Sequence, residues 1–307
     1  MKINISFFLL IFLFTFQISK AQQKNMYGIA HLSILPLRTE PSNQSELCTQ
    51  ILFGEIYKVI KISPDEQWFY IENNFDEYKG WLNKGQFKEI SEKEFKEIAA
   101  KKKEYLCQQY TKTLLSIDKT KEIPIVFGAK LNKIDENTCK NNDFFYTYSF
   151  SEDNQNLSSN HIEALLEDAY IFLNAPYLWG GKTPFGVDCS GFTQQIMRAN
   201  GIKIKRDAYQ QAEQGEKINQ LENTKTGDLA FFVRNNRVVH VGLIIEDKDL
   251  PKNKPNHKPD ATIQKNERWI MHALECVRID KLDEKGIFNL DNKQYSHFLH
   301  SLKRYIK

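Results

Sequence analysis

The sequence lacks two features that would place it in common classes of protein. Basic and acidic residues nearly balance, 42 against 39, for a net charge of +3. Because they are interspersed, they argue against a nucleic-acid-binding protein, although they do not exclude a charged substrate. No CxxC motif or Cys/His cluster has the spacing of zinc ligands. The 307 residues suffice for two or three domains of about 100–200 residues each.

The start of the chain has the pattern of a secretory signal peptide. A basic Met1-Lys2 precedes the apolar block Phe7–Phe16, and small residues at Ser19 and Ala21 suit a cleavage site. The block is too short for a stable membrane span, which takes about 20 residues. We therefore predict that residues 1–21 are removed and that the protein is exported to the periplasm or the cell exterior, without stable membrane insertion. An uncleaved N-terminal anchor is the alternative, and a lipoprotein anchor is not expected, because no cysteine follows the cut.

Five cysteines cannot all pair in an oxidising compartment. Cys107 and Cys139 are candidates for a disulfide, which is also the plain explanation for any other two. Cys189 has a reason to be free, because it follows a glycine-punctuated loop, Tyr177–Gly186, and opens a helical pattern that ends near Gly201. The helix N-terminus favours a thiolate there, so Cys189 is a candidate nucleophile. A buried, inert thiol is the alternative.

Strand-like and helical stretches divide the first half of the chain. Between Tyr27 and Ile90, closely spaced short strands predict a small β-barrel. The predicted strands are Ser33–Arg38, Glu46–Phe53, Glu55–Ile60, Trp68–Ile71 and Gly80–Leu82. Ser91–Tyr110 predicts a charged linker helix with one apolar face. Strand-like pieces return at Ile123–Phe127 and Asp143–Phe150, compatible with a second small β-domain, and Ser151–Ser159 is typical of a linker.

The second half predicts helices first and antiparallel strands afterwards, an α+β arrangement. Asn160 can cap a helix that Pro176 stops, and the Cys189 helix follows. A hairpin, two more strands and a long surface insertion come next. Those strands are Asp228–Val233, Val238–Ile245, Arg268–Ala273 and Glu275–Ile279, and the insertion is Glu246–Glu267.

Two histidines on these strands complete a candidate catalytic set. His240 shares a strand face with Gly242, which leaves room beside the imidazole, and His272 lies on the next strand. A thiol nucleophile needs a base, and the base needs an orienting acceptor. Cys189, His240 and His272 can fill these roles. A hydrogen-bonded core histidine is the alternative for either imidazole.

Five motifs in this order resemble the NlpC/P60 family of cell-wall cysteine peptidases. They are Tyr177-x-Trp-Gly-Gly, Asp188-Cys-Ser-Gly-Phe, Gly227-Asp-Leu-x-Phe-Phe, His240-Val-Gly and Met271-His-Ala. The resemblance implies a papain-like α+β catalytic domain over residues 159–307 that hydrolyses stem peptides of peptidoglycan. It implies Cys189 as nucleophile, His240 as general base and acid, and His272 as the third member. Tyr177 is expected to assist at the oxyanion, and no metal or organic cofactor is implied.

The region before the catalytic domain is similar to a bacterial SH3 domain. An Arg is followed by a Pro-bearing turn, then Leu52-Phe-Gly-Glu, a Trp strand, and Tyr78-Lys-Gly-Trp. The resemblance implies an SH3-like domain over 22–90, and we assign 91–158 to the linker helix and a second small SH3-like β-domain. The order SH3 then NlpC/P60 resembles the γ-D-glutamyl-L-diamino acid endopeptidases.

That narrower resemblance implies a short cleft that accepts stem peptides with a free N-terminal L-Ala. Tyr78 matches the SH3 tyrosine that lines the site, and Asp207 the carboxylate that pairs with the substrate α-ammonium. Glu46 is the candidate for a second carboxylate, with Glu40 or Glu55 as alternatives. Ala208 stands where the group often has serine, so one hydrogen bond to substrate is in doubt. The other predicted substrate-binding residues are Trp179, Asp188 and Ser190.

The sequence thus predicts an exported cysteine peptidase that cuts the γ-D-Glu–L-diamino acid bond of peptidoglycan stem peptides. Action on polymeric peptidoglycan, in cell separation or lysis, is one alternative. A wall-binding module with an inactive peptidase domain is another, and a thioester-forming acyltransferase is more distant.

Overall fold

The computed structural model describes residues 25–142, 144–148, 161–250 and 268–306. The predicted signal peptide, the linker Ser151–Ser159, the Asn160 cap and most of the insertion Glu246–Glu267 lie outside the described residues. Within the described ranges, none of the helices combines the length and hydrophobicity that crossing a bilayer requires.

The first part of the chain forms a small β structure with seven strands in the order β3-β2-β6-β5-β4-β1-β7. Its apolar core includes Leu35, Ile51, Tyr57 and Phe69. Each of the five predicted stretches overlaps one of the strands. They are β1 Met26–Ile29, β2 Ile34–Arg38, β3 Leu47–Leu52, β4 Ile56–Ile62, β5 Trp68–Asn73, β6 Lys79–Asn83 and β7 Glu89–Ile90.

The linker helix is shorter than predicted. Helix α1 covers Glu92–Ala99, with the Ser91 hydroxyl accepting from the backbone N–H of Glu94 at its start. The prediction that the helix continues to Tyr110 is wrong, because residues after Ala99 make contacts with a separate part of the structure instead of continuing the helix. Leu106 forms a β-bridge with Lys130, and Cys107 joins a separate apolar core.

That second core belongs to a four-stranded sheet in the order β10-β11-β8-β9. Cys107 and Cys139 are both buried in it as free thiols. The prediction of strands at 123–127 and 143–150 is confirmed by β9 and β11. The strands are β8 Thr111–Ser116, β9 Glu122–Val126, β10 Thr138–Asn141 and β11 Phe144–Thr147.

The last part of the chain packs helices against a second seven-stranded sheet, in the order β14-β20-β15-β16-β17-β18-β19. Strand β19 also pairs with β20, which closes six of these strands into a barrel. The helices are α2 His161–Ile171, α3 Cys189–Ala199 and α4 Ala208–Ala212. The strands are β12 Lys182–Thr183, β13 Gly186–Val187, β14 Glu216–Ile218, β15 Leu229–Arg234, β16 Arg237–Glu246, β17 Arg268–Leu274, β18 Cys276–Leu282, β19 Gly286–Asn289 and β20 Gln294–Arg304.

The alternation of strand residues separates two apolar cores. Val241 and Leu243 of β16 point outward to α3, whereas Phe232, Ile244 and Ile270 fill the barrel interior. The predicted hairpin is confirmed, and Asn235 and Asn236 at its tip have φ of 50° and 58°, as a tight primed turn requires. Strands β19 and β20 were not predicted.

Candidate active site

Cys189 is the first residue of α3, and the loop before it sets its position. Asp188 caps the helix in an extended conformation, and its carboxylate accepts from the backbone N–H groups of Gly191 at 2.7 Å and Gly180 at 2.8 Å. Gly180 has φ of +76°, and a Cβ there would lie 2.4 Å from the carbonyl oxygen of Leu47. Only glycine therefore lets this loop approach the SH3-like part so closely.

The Cys189 thiol is 7% exposed and lies against the outer face of strand β16. Burial, reinforced by the neighbouring Asp188 carboxylate, raises the pKa of Cys189 to about 12, although a hydrogen bond from the Val241 backbone lowers it. The predicted stabilisation of a thiolate by the helix N-terminus is therefore opposed by burial and by the neighbouring carboxylate. Asp188 occupies that N-terminus with its own negative charge, so deprotonation of the sulfur requires a base.

The two predicted histidines are in direct contact. Nε2 of His240 lies 2.8 Å from Nδ1 of His272, and both side chains are buried. Gly242 makes this possible, since a Cβ there would lie 2.9 Å from the Cβ of His272. The hydrogen bond to His272 leaves Nδ1 of His240 as the nitrogen available to a thiol. Val241, whose backbone contacts the Cys189 sulfur, is the residue after His240.

Two more side chains, neither predicted, surround these imidazoles. The ring of His297 on β20 stacks on that of His240, with centroids 4.1 Å apart and planes 20° apart. Oδ2 of Asp280 lies 3.1 Å from Nε2 of His272. Burial, together with the other two imidazoles, lowers the pKa of His240 well below 6.5. His240 is therefore neutral at physiological pH, which is the state that accepts a proton.

The buried side chain of Arg206 holds the loop before Cys189 in position. Arg206 donates to both oxygens of Asp188, at 3.0 and 2.6 Å, and to the Ser190 hydroxyl at 2.9 Å. Its Nε donates to the Thr49 hydroxyl of the SH3-like part at 3.0 Å. Asp188 and Ser190 thus have protein partners that position the loop, and their predicted contact with substrate stays a prediction.

The SH3-like part supplies one wall of the site. Nε1 of Trp179 donates to Oε1 of Glu46 at 2.5 Å, so Glu46 reaches the cysteine loop. Of the alternatives, Glu55 is buried and paired with Arg198 instead, and no described contact brings Glu40 to the loop. The structure thus singles out Glu46 among the three candidate carboxylates.

Tyr78 and Asp207 also meet at this wall. The Tyr78 hydroxyl is within hydrogen-bonding reach of the Asp207 carboxylate, and burial raises the pKa of Asp207 above its ordinary 3.8. Tyr177 neighbours the thiol, since burial and then Cys189 raise the pKa of its hydroxyl. The structure therefore places Tyr177 near Cys189 and Tyr78 near Asp207, and their roles toward a substrate stay predictions.

Asp280, His297, Thr49 and Arg206 are the site residues that the sequence analysis did not select. Asp280 could have been found from the sequence. It lies two residues before Leu282 on the same strand, so both side chains point to the same inward face, where a carboxylate beside an apolar residue is unusual. His297 and Thr49 carried none.

Comparison with known proteins identifies two matched regions of the chain. The NlpC/P60 family model matches residues 174–287, and the model of the bacterial dipeptidyl-peptidase SH3 domain matches residues 37–87. The chain belongs to the NlpC/P60 family of cysteine peptidases and carries a bacterial SH3 domain ahead of the peptidase domain.

Two curated relatives match this chain over about two thirds of its length. It is 30% identical over 216 residues to the γ-D-glutamyl-L-lysine dipeptidyl-peptidase of Bacillus subtilis, covering 64% of this chain and 69% of the relative. The Bacillus cereus protein of the same name is 26% identical over 238 residues, 68% of each chain. A crystal structure of an NlpC/P60 family protein from B. cereus superposes with a TM-score of 0.67 at 20% identity, covering 92% of this chain and all of that one. At that identity the superposition supports the fold alone.

Proposed function

We propose that this protein hydrolyses the bond between γ-D-Glu and the L-diamino acid of peptidoglycan stem peptides, and that it requires a free N-terminal L-Ala. The observation that carries the proposal is the position of the Cys189 thiol. The sulfur contacts the backbone of Val241, the residue after His240, and the loop before Cys189 is contacted by Glu46 of the SH3 domain through Trp179.

The chemistry follows from the hydrogen-bond chain. His240 takes the proton of the Cys189 thiol as the sulfur attacks the γ-carbonyl carbon of D-Glu. The oxyanion is stabilised by the backbone N–H of Cys189 and the Tyr177 hydroxyl. His240 then protonates the leaving amine of the diamino acid, and a thioester remains on Cys189. Water, deprotonated by His240, hydrolyses the thioester and releases L-Ala-γ-D-Glu with the thiol restored.

The carboxylates at the SH3 wall account for selection of the substrate end. On this proposal the carboxylates of Asp207 and Glu46 meet the substrate α-ammonium in a cleft that the SH3 domain closes, and the contacts of Asp207 with Tyr78 and of Glu46 with Trp179 support it. A peptide whose amine is acylated loses its positive charge and adds bulk at the closed end. It would leave carboxylates desolvated and unpaired, which costs binding energy.

The names of the relatives support the same bond class, since two of them are γ-D-glutamyl-L-lysine dipeptidyl-peptidases. The sequence of residues 1–21 supports export. An exported enzyme of this specificity would act on released stem peptides in the periplasm or outside the cell.

The decisive test is mass spectrometry of a defined peptide panel after incubation with the enzyme. We expect cleavage of L-Ala-γ-D-Glu-diaminopimelate, of the Lys tripeptide, or of both, and no cleavage of the N-acetylated forms. Equal rates on free and acetylated peptides would contradict the amine requirement. The Cys189→Ala variant is the control, and hydrolysis that survives in it would remove the mechanism.

Intact sacculi complete the panel. Loss of turbidity would favour an enzyme of polymeric peptidoglycan, and retention on sacculi without peptide release would favour a wall-binding module.

A further inference from the structure

The histidine contact continues into the barrel and ends on a carboxylate. His240 Nε2 lies 2.8 Å from His272 Nδ1, and His272 Nε2 lies 3.1 Å from Asp280 Oδ2. His272 and Asp280 are both fully buried. The strand alternation that directs His240 and His272 inward also directs Asp280 inward. One residue from each of the three neighbouring strands β16, β17 and β18 therefore contributes to a continuous chain of contacts.

Asp280 accepts from donors on every side. Arg278 donates through Nε to Oδ2 at 2.8 Å and through a terminal nitrogen to Oδ1 at 3.0 Å. The backbone N–H of Leu290 donates to Oδ1 at 3.0 Å. Although burial by itself would raise it, the hydrogen bonds from His272 and Arg278 lower the pKa of Asp280. The carboxylate is therefore ionised and can only accept hydrogen bonds.

An acceptor at the end of the chain determines where every proton sits. Because Asp280 can only accept, Nε2 of His272 must carry its hydrogen. Burial lowers the pKa of His272, and the neutral ring then has a bare Nδ1, which can only accept. Nε2 of His240 must therefore be the donor in that contact. Nδ1 of His240 is left without hydrogen, which is the state needed to take a proton from a thiol.

We propose that Asp280 is a positioning residue that selects the reactive tautomer of His240 through His272, extending the catalytic set from three groups to four. The inference rests on the proposed roles of Cys189 and His240. When His240 becomes an imidazolium during catalysis, the Asp280 carboxylate is its buried counter-charge, connected to it through His272. Asp280 itself touches neither the substrate nor the sulfur.

In the Asp280→Asn variant, the hydrogen bonds from the new amide through His272 to His240 should reverse their direction. If the amide nitrogen replaced Oδ1, it would oppose two donors, from Arg278 and Leu290. If it replaced Oδ2, it would oppose only Arg278 Nε, and it could donate to His272 Nε2 once that ring moves its hydrogen to Nδ1. The second orientation costs less. His240 would then have to hold its hydrogen on Nδ1, the nitrogen that the proposed mechanism uses as the base, so it could not accept the proton of the thiol.

Asp228→Asn is a matched control in the same sheet. Asp228 is 2% exposed and accepts from Arg304 at 2.9 and 2.7 Å and from the backbone N–H of Lys225 at 2.7 Å. It resembles Asp280 in burial, in its paired arginine and in its backbone donor. No histidine contacts it among the described hydrogen bonds. The control therefore reports the loss of a buried carboxylate without the effect on tautomers.

Two measurements test the proposal on the full chain. Nitrogen-15 NMR of the imidazoles in the resting protein should find hydrogen on Nε2 of both His240 and His272, and on Nδ1 of His272 in Asp280→Asn. On the cleaved tripeptide, kcat of Asp280→Asn should fall by roughly 10²- to 10⁴-fold, the range expected when a catalytic imidazole is held in the wrong tautomer. KM should change little, and Asp228→Asn should keep both tautomers and kcat.

The outcomes separate this inference from the proposed function. An unchanged His272 tautomer in Asp280→Asn, or a loss of kcat no larger than that of Asp228→Asn, would overturn it. Should Asp280→Asn fail to fold, the wild-type spectrum still decides, because hydrogen on Nδ1 of His240 is incompatible with the proposal. If the wild type cleaves none of the peptides, the proposed function fails while the tautomers still report on Asp280.

Discussion

Two buried arginines near the cysteine helix have the same side chain and nearly the same burial, yet they do different work. Arg206 is 1% exposed and Arg198 is 4% exposed. Arg206 binds one carboxylate, Asp188, together with the hydroxyls of Ser190 and Thr49. Arg198 lies at the other end of α3, between the carboxylates of Glu55 and Glu104.

The difference lies in where the partners come from. The carboxylate that Arg206 holds is the residue before the nucleophile, so this arginine determines the position of the catalytic loop. Arg198 joins three parts of the chain, since Glu55 belongs to the SH3 domain and Glu104 follows α1. It also stacks over the Phe75 ring, with the guanidinium carbon 3.8 Å from the centroid. Burial of a charge therefore does not reveal its role, whereas the location of its counter-charge does.

Replacing Arg206 should produce the largest effect. Arg206→Met leaves the Asp188 carboxylate buried without its partner, which costs about 3–5 kcal/mol, and it releases the loop that carries Cys189. We expect a lower free energy of unfolding in urea and a fall in kcat of the folded fraction of roughly 10²-fold, because small displacements of reacting groups cost that much.

The double variant Arg206→Met/Asp188→Asn sharpens this prediction. It removes the unpaired charge and should regain stability without regaining activity. Full activity in either variant would show that Arg206 does not position the loop.

Replacing Arg198 should affect stability alone. Arg198→Met leaves the Glu55 carboxylate with the backbone N–H of Leu52 at 2.8 Å and with Lys182, whose Nζ is 3.9 Å away, so we again expect a loss of about 3–5 kcal/mol. Because the described partners of the Arg198 side chain, which are Glu55, Glu104 and Phe75, include none of the proposed site residues, kcat per folded molecule should stay at the wild-type value when normalised by thiol titration. A loss of kcat equal to that of Arg206→Met would remove the distinction between the two arginines.

The smallest effect is expected at Glu104, and it should depend on pH. Although burial by itself would raise it, Arg198 and Lys130 lower the pKa of Glu104 from 4.5 to about 2. A carboxyl with a depressed pKa in the folded state stabilises the protein above its unfolded pKa and loses that contribution as the pH falls.

We therefore expect Glu104→Gln to cost on the order of 1–3 kcal/mol at pH 7. The difference from wild type should shrink between pH 4.5 and 2, as measured by urea unfolding over that range. A difference that does not change with pH would mean that the loss comes from packing.

Much of the fold was predictable, because the spacing of apolar residues and the turn residues indicate helices and strands locally. The helix beginning at Cys189 and the Asn-rich hairpin before His240 follow from spacing and turn residues, and both are present. The helix predicted to reach Tyr110 ends at Ala99, because contacts of Leu106 and Cys107 with a distant sheet override a locally helical pattern. The strands after residue 285 lack clear alternation and were missed.

The sequence by itself determined which residue types could carry the chemistry and in what order they occur, because helix starts, turns and strand alternation depend on near neighbours. Tertiary structure alone decided that Glu46 rather than Glu55 contacts Trp179 of the loop before Cys189, through a hydrogen bond between residues 133 positions apart. It also decided that the Cys189 thiol is buried beside the Asp188 carboxylate and that Asp280 ends the histidine chain. Burial and electrostatic partners arise only when distant segments pack together, and no local pattern records them.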